Sequence, residues 1–252
     1  MAARWPRDGK LMANKGNAAR GVFITGTDTG VGKTFVACRL IRALESGGLD
    51  TAVFKPVETG CRADDGGELT PQDAVQLAHA SRHRPAIDIV CRYRFADAVS
   101  PARAAQLAGV DLRVGDLAAV CQSEPRRFAV VEGAGGLLSP IAGDGVNADL
   151  AAALNHAVVV VAADRLGCIN HVLLTLEALA ARNLAAVAVA LNRPDAAPAP
   201  GKALDNAREL AAHTQTAIIK TGRDPDRGRG GNGDADDGIR RLAEMVKRKA
   251  GM

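Results

Sequence analysis

Between residues 21 and 46 the chain passes from a strand-length apolar run, GVFIT, through GTDTGVGKT, into an apolar pattern of helical period that stops at Gly47 and Gly48. Few folds accommodate a glycine-rich turn flanked in this way. Glycines let backbone N–H groups turn inward on a ring of phosphate oxygens, a lysine reaches the terminal phosphates, and a Ser or Thr hydroxyl faces a divalent cation. Gly30, Gly32, Lys33 and Thr34 supply these groups, and the helix expected from Thr34 to Ser46 adds the positive end of its dipole. Val31 and Phe35 complete the set expected around a bound nucleotide. The usual loop has about four residues between its first glycine and GK. Five lie between Gly26 and that pair, so the four-residue register begins at Thr27.

The rest of the chain alternates in the same way. Strands are expected at 51–55, 128–132, 157–162, 185–192 and 217–220, and helices at 71–80, 102–107, 114–122, 170–182, 202–213 and 238–248. AVVVVA at 157–162 is apolar on both faces, as a strand in the middle of a parallel sheet must be. Strand–helix alternation at this spacing predicts an α/β fold. It is a mostly parallel, doubly wound sheet with helices on both faces, of the P-loop NTPase type. Its ligands are expected at the carboxyl ends of the strands. Residues 21–252 are read as one catalytic domain, and residues 222–238 as a mobile glycine- and charge-rich loop.

Composition excludes several functions. The net charge of +4 comes entirely from residues 1–20, which carry Arg4, Arg7, Lys10, Lys15 and Arg20 against Asp8. The remainder is formally neutral, so no basic face for nucleic acid is indicated. No apolar run is long enough to span a membrane, and residues 1–20 lack the apolar core of a secretory signal, reading instead as a disordered extension. The five cysteines are odd in number and none forms a CxxC, which points to a reducing, cytoplasmic setting.

Three charged residues at strand or helix ends are candidates for chemistry. Glu132 closes the FAVVE strand ahead of GAGG, where a second metal-binding acid belongs, and is expected on a polar strand-end loop. Asp73 stands in a first helical turn, where the dipole alone favours an acid. Lys55 closes an apolar strand before Pro56. It is either a rim lysine with a snorkelling stem or a cation aimed at developing negative charge. His79 and His83 are four apart but lack a third ligand and read as a solvated helix end. His156 and His213 read as structural.

GTDTGVGKT, KPVETG, VEGAGG and LGCINH, in this order and spacing, resemble the dethiobiotin synthetases from about Gly21 to Asn192. The resemblance implies ATP as co-substrate, Mg²⁺ as cofactor, and 7,8-diaminononanoate (7,8-diaminopelargonate) with CO₂ as substrates. It further implies Thr34, Asp73 and Glu132 as metal ligands, and Lys33 and Lys55 in catalysis. Thr29 and Thr59 would meet the diamine. Glu132, Gly133, Ala134, Gly135 and Asn192 would contact the nucleotide. A homodimer is implied, with LGCINH bordering the partner's site. The family's proline-containing closure on the base has no match in AIIKTGRDPDRGRGG, so loose base selection is expected.

Three other readings fit less well. Cobalamin-pathway amidotransferase synthetases share the ATP domain but carry a glutaminase domain for which this chain has no room. Chromosome-partitioning switches have a lysine early in the loop, where Thr27 and Asp28 stand here. NRPD at 192–195 is a poor copy of the GTPase NKxD.

Overall fold

The computed structural model describes residues 20–193, 204–221 and 233–252. The first strand, β1, is Gly21–Gly26, followed by α1 (Lys33–Ser46) and β2 (Thr51–Phe54). Short strands β3 (Val57–Thr59), β4 (Arg62–Ala63) and β5 (Leu69–Thr70) lead to α2 (Gln72–Ala80). Next come α3 (Ile87–Val90), β6 (Tyr93–Phe95), α4 (Pro101–Leu107), α5 (Val114–Cys121) and β7 (Phe128–Gly136). Then follow β8 (Pro140–Ala142), β9 (Gly145–Val146), α6 (Asn147–Leu154), β10 (Ala157–Ala163) and α7 (Cys168–Ala180). The chain finishes with β11 (Ala186–Asn192), α8 (Asn206–His213), β12 (Ala217–Lys220) and α9 (Gly233–Lys249).

Six strands form one parallel sheet in the order β12-β11-β10-β1-β7-β2. Successive side chains on a strand point to opposite faces, and both faces here are apolar. Phe23, Val131 and Val160 pack under α5, α6 and α7, whereas Val22, Ile24, Val130 and Val161 pack under α1, α2 and α9. This explains the uninterrupted apolar runs of the central strands. The fold class expected from sequence is thus the one observed, and the central sheet is parallel throughout.

Several boundaries differ from expectation. Helix α1 starts one residue early, at Lys33, because Gly32 takes the left-handed conformation (φ 90°) at its N-cap. Strand β7 does not stop at Glu132 but continues through GAGG, since Gly136 pairs with Gly26 after an irregularity in register. Helix α6 has no counterpart among the expected helices. Its stop is Asn155 in the left-handed region (φ 51°), and its start is held by the Asp149 carboxylate accepting from the Val146 N–H at 2.8 Å. The loop expected at 222–238 is partly helix, because α9 begins at Gly233. The acids at 234, 236 and 237 that give the segment its loop-like composition are the type that favours a helix N-terminus. The rest of that loop, residues 222–232, lies outside the described residues, as do the extension 1–19 and Pro194 and Asp195 of NRPD.

Of the histidines, His83 pairs with Asp50, and His79 and His213 are exposed. His156 lies at the entry to β10. Neither ring nitrogen has a hydrogen-bond partner among the described residues, and burial lowers its pKa to about 4. A side chain at Gly21 would start 2.6 Å from His156 Nε2 and 2.5 Å from the Ala129 carbonyl, so the ring needs a glycine beside it.

The unfolded chain therefore binds a proton at His156 near pH 6.5, whereas the folded chain resists it until about pH 4. Stability linked to this group is complete above the unfolded value and is lost as pH falls through that window. Urea unfolding at pH 7 and pH 4.5 should show the wild type losing roughly 2 kcal/mol more than His156→Leu. Equal losses would show that the ring titrates freely.

Candidate active site

The carboxyl ends of β1, β2, β3 and β7 and the start of α2 surround a cavity of about 610 Å³. Thr29, Gly30, Gly32, Lys33 and Thr34 form one wall, and Lys55, Thr59, Asp73, Glu132, Ala134 and Gly135 the others. Most of the residues singled out in the sequence are thus brought together. Four are not part of the lining. Val31 is buried beneath the loop, Phe35 projects from α1 at 41% exposure under the Arg39 guanidinium, and Gly133 packs against Asn147. Asn192 lies under the loop and donates its amide to the Val31 carbonyl at 3.0 Å. A side chain at Gly32 would start 2.0 Å from that amide nitrogen, so this glycine is required for space as well as for its positive φ.

Gly26 is a second steric requirement. A Cβ there would stand 2.7 Å from the Asp28 carbonyl and 3.1 Å from Lys33 Nζ. The loop folds over this point and Lys33 donates back to the Asp28 carbonyl at 2.9 Å. Burial, helped by the charge of Lys55, lowers the Lys33 pKa to about 8. The lysine is held curled within its own loop, in a place where a phosphate would supply the missing negative charge.

At the centre of the site Lys55 Nζ donates to Glu132 Oε1 at 2.6 Å and to Asp73 Oδ2 at 2.8 Å. Thr34 Oγ1 donates to the same Glu132 oxygen at 3.0 Å. Lys55 is only 3% exposed, so it is not a snorkelling rim lysine. Burial opposes its charge, but the two carboxylates outweigh burial and raise its pKa. For Asp73 burial is likewise outweighed, by the Lys55 ammonium, and the carboxyl is held below its usual value. For Glu132 burial wins and the pKa is raised despite Lys55. Glu132 is also not on a strand-end loop as expected. At 1% exposure it sits inside β7, because the strand runs on past it.

Further residues at the site escaped the sequence reading. Ala98, Val99, Ser100 and Pro101 close one side of the cavity and Ser139 another. Glu58 also lines it, and its only sequence signal was a place within KPVETG. Asn147, fully buried, organises GAGG from below. Its Oδ1 accepts from the Ala134 N–H at 3.0 Å, and its Nδ2 lies 2.7 Å from the Ala134 carbonyl, 3.0 Å from that of Gly136 and 3.2 Å from that of Ser139.

A glycine loop curled over the end of a parallel strand, a buried lysine in it, one acid on the neighbouring strand β7 and another in the first turn of α2 define a P-loop nucleotide-binding protein. A family model described as "AAA domain" matches residues 20–223. The fold is shared with the septum site-determining protein MinD of Pyrococcus horikoshii (TM-score 0.55, 16% identity, 92% of this chain and 98% of that one). It is shared too with the cell division ATPase MinD of Pyrococcus furiosus (TM-score 0.52, 15% identity, 90% and 98%). In sequence the chain is 44% identical over 197 residues to the ATP-dependent dethiobiotin synthetase BioD of Anaeromyxobacter dehalogenans strain 2CP-1, across 77% of this chain and 86% of that protein. It is 40% identical over 199 residues to the synthetase of the same name from Ruthia magnifica, across 79% and 89%. The chain belongs to the dethiobiotin synthetase family.

Because Asn147 satisfies several backbone groups at once, Asn147→Ala strands them together. One stranded buried group costs about 1–3 kcal/mol, and the expected loss in urea unfolding is roughly 3 kcal/mol. A loss below about 1 kcal/mol would mean that solvent takes over these bonds.

Proposed function

We propose that the protein joins CO₂ to 7,8-diaminononanoate at the expense of ATP, giving dethiobiotin, ADP and phosphate in biotin biosynthesis. The observation that carries this reading is the Asp73–Lys55–Glu132 chain beside the loop, with Lys55 and Glu132 buried, in a chain this similar to named synthetases.

The chemistry has three steps. One amine nitrogen bonds to the carbon of CO₂ and loses a proton, giving a carbamate. A carbamate oxygen attacks the γ-phosphorus as its bond to the β,γ-bridging oxygen breaks, releasing ADP. The second amine attacks the carbonyl carbon of the resulting carbamic–phosphoric anhydride, closes the ureido ring and expels phosphate. Negative charge builds on carbamate and phosphoryl oxygens throughout, so the protein must position the reactants and supply fixed positive charge.

Lys33 and the loop amides from Gly30 to Thr34 hold the phosphates. Lys55 is kept charged by its two carboxylates and is oriented by strand β2, whose end it follows. Its ammonium meets the carbamate and phosphoryl oxygens without reorganisation. Thr29 and Thr59 bind the diamine on the cavity walls.

The oxygen-rich side chains also fit Mg²⁺. Glu132 Oε2 is buried with no hydrogen-bond partner among the described residues, an acceptor suited to a cation. Among the described residues no cluster of three or more His, Cys, Asp or Glu could hold a metal. Thr34, Asp73 and Glu132 would therefore hold the ion together with nucleotide oxygens and water, as Mg²⁺ prefers. The ion, when bound, supplies positive charge to the β- and γ-phosphate oxygens.

The start of α7 supports the homodimer. Leu166 is 87% exposed and Leu174 55%, with Asn170 and His171 exposed between them. Such a face suits a partner chain, and it carries the LGCINH segment. All five cysteines are free and buried, which fits work in a reducing cytoplasm. Among the described residues no helix is long and apolar enough to cross a membrane.

Phosphate release should require both diamine and bicarbonate-derived CO₂, with the ring product appearing in step. Rapid ATP turnover without the diamine would sink this reading. Lys55→Gln should lower kcat about 10²- to 10³-fold, the usual cost of removing one preorganised charge partner. ATP affinity should change far less, because Lys33 and the loop amides remain. A normal kcat would remove Lys55 from the chemistry, and an equal loss of ATP affinity and kcat would move it to the nucleotide.

A further inference from the structure

Helix α2 carries Asp73 in its first turn, yet its own sequence provides no cap. The N-cap is Pro71, whose side chain makes no capping hydrogen bond. The first amides of a helix have no partners within it and must find them elsewhere. Here they find a carboxylate from a different element. Glu58 Oε1 accepts from the Asp73 N–H and Glu58 Oε2 from the Ala74 N–H, each at 3.0 Å. Both bonds are charge-assisted, and their paired geometry fixes direction as well as distance. Glu58 is buried on β3, where it stands opposite Arg94 of β6, so the anchor is a paired strand rather than a loop.

The position of the cap gives it a functional meaning. The backbone amide it holds belongs to Asp73, whose carboxylate receives Lys55 at 2.8 Å. Thr59, the next residue along β3, lines the same cavity. One buried carboxylate therefore sets α2 against β3, and with it the distance from Asp73 to Lys55 and Glu132.

We propose that Glu58 is a positioning residue for the reaction. By capping α2 with both carboxylate oxygens it holds Asp73 in place to share the cation with Glu132. This rests on the reading of Asp73 as a holder of Mg²⁺.

The test uses the full chain and measures ADP binding at equilibrium across a Mg²⁺ titration, with thermal unfolding and the diamine KM alongside. Losing a group that orients a metal ligand typically weakens the metal about 10- to 100-fold. Glu58→Ala should raise the Mg²⁺ concentration for half-maximal ADP binding by about tenfold. Glu58→Gln keeps one acceptor, should restore part of that loss, and serves if the alanine variant does not fold. ADP binding without Mg²⁺ and the diamine KM should stay as in the wild type. Asp73→Asn should shift the Mg²⁺ dependence as well, and adding Glu58→Gln to it should shift it little further, because both act through one group. If Asp73→Asn shifts the titration and the Glu58 variants do not, the positioning role is wrong while the metal reading stands. If Asp73→Asn leaves the titration unmoved, the metal reading falls and this proposal with it. A raised diamine KM with unchanged Mg²⁺ dependence would overturn the proposal by making Glu58 a direct substrate contact.

Discussion

The site is organised around a cation that belongs to the protein. Lys55, almost fully enclosed, lies between one carboxylate from a strand and another from the first turn of a helix. A buried ammonium is tolerable only when paired and hydrogen-bonded, and this one has both partners within hydrogen-bond reach. The arrangement keeps β2, β7 and α2 in register at one point. It also keeps two acids facing each other that would repel without the lysine. Loss of the lysine would leave the buried Glu132 carboxylate uncompensated beside that of Asp73, which ties the electrostatics of the site to the packing of the sheet.

The sheet supplies this arrangement because its strands end together. Gly26 of β1 pairs with Gly136 of β7 after the register shifts, so the phosphate loop and GAGG lie side by side. The second glycine strip is held by Asn147 from α6 on the far side of the sheet from α1. The phosphate loop and the glycine-rich end of β7 are thus each supported by a buried amide, Asn192 under the first and Asn147 under the second. Each amide occupies space that a glycine leaves open, at Gly32 and Gly133. The glycines therefore serve the protein's own interior as well as a ligand.

Local pattern carries much of this architecture. The strands of the central sheet were legible because each is an apolar run bounded by turn residues, and the loop because its glycines, lysine and threonine fall at fixed spacing. Lys55 and Glu132 stood out as charged residues closing such runs, whereas Asp73, in a first helical turn where the dipole alone favours an acid, was singled out only through the family resemblance. What escaped depends on partners far away in the chain. Glu58 has meaning only through amides 15 and 16 residues on. Asn147 has meaning only through the turn it ties down, and the short pairs β3–β6 and β8–β9 lack enough length to show a period. Asn192 ends its strand as expected, but only the fold shows that its amide is spent on the loop from beneath.

The position of β1 bears on how the chain is made. It is the first strand among the described residues and stands in the interior of the sheet, yet Gly21 pairs with Ala129 and Val22 with Ala157. Both neighbours are synthesised more than a hundred residues later. Until then β1 is an apolar strand with two open edges, and the phosphate loop lacks Glu132, which receives the Thr34 hydroxyl. Pairings so distant in sequence form late and slowly, and exposed strand edges are open to wrong partners. Of the elements made early, α1 packs against β1 and can cover one of its faces before β7 and β10 arrive.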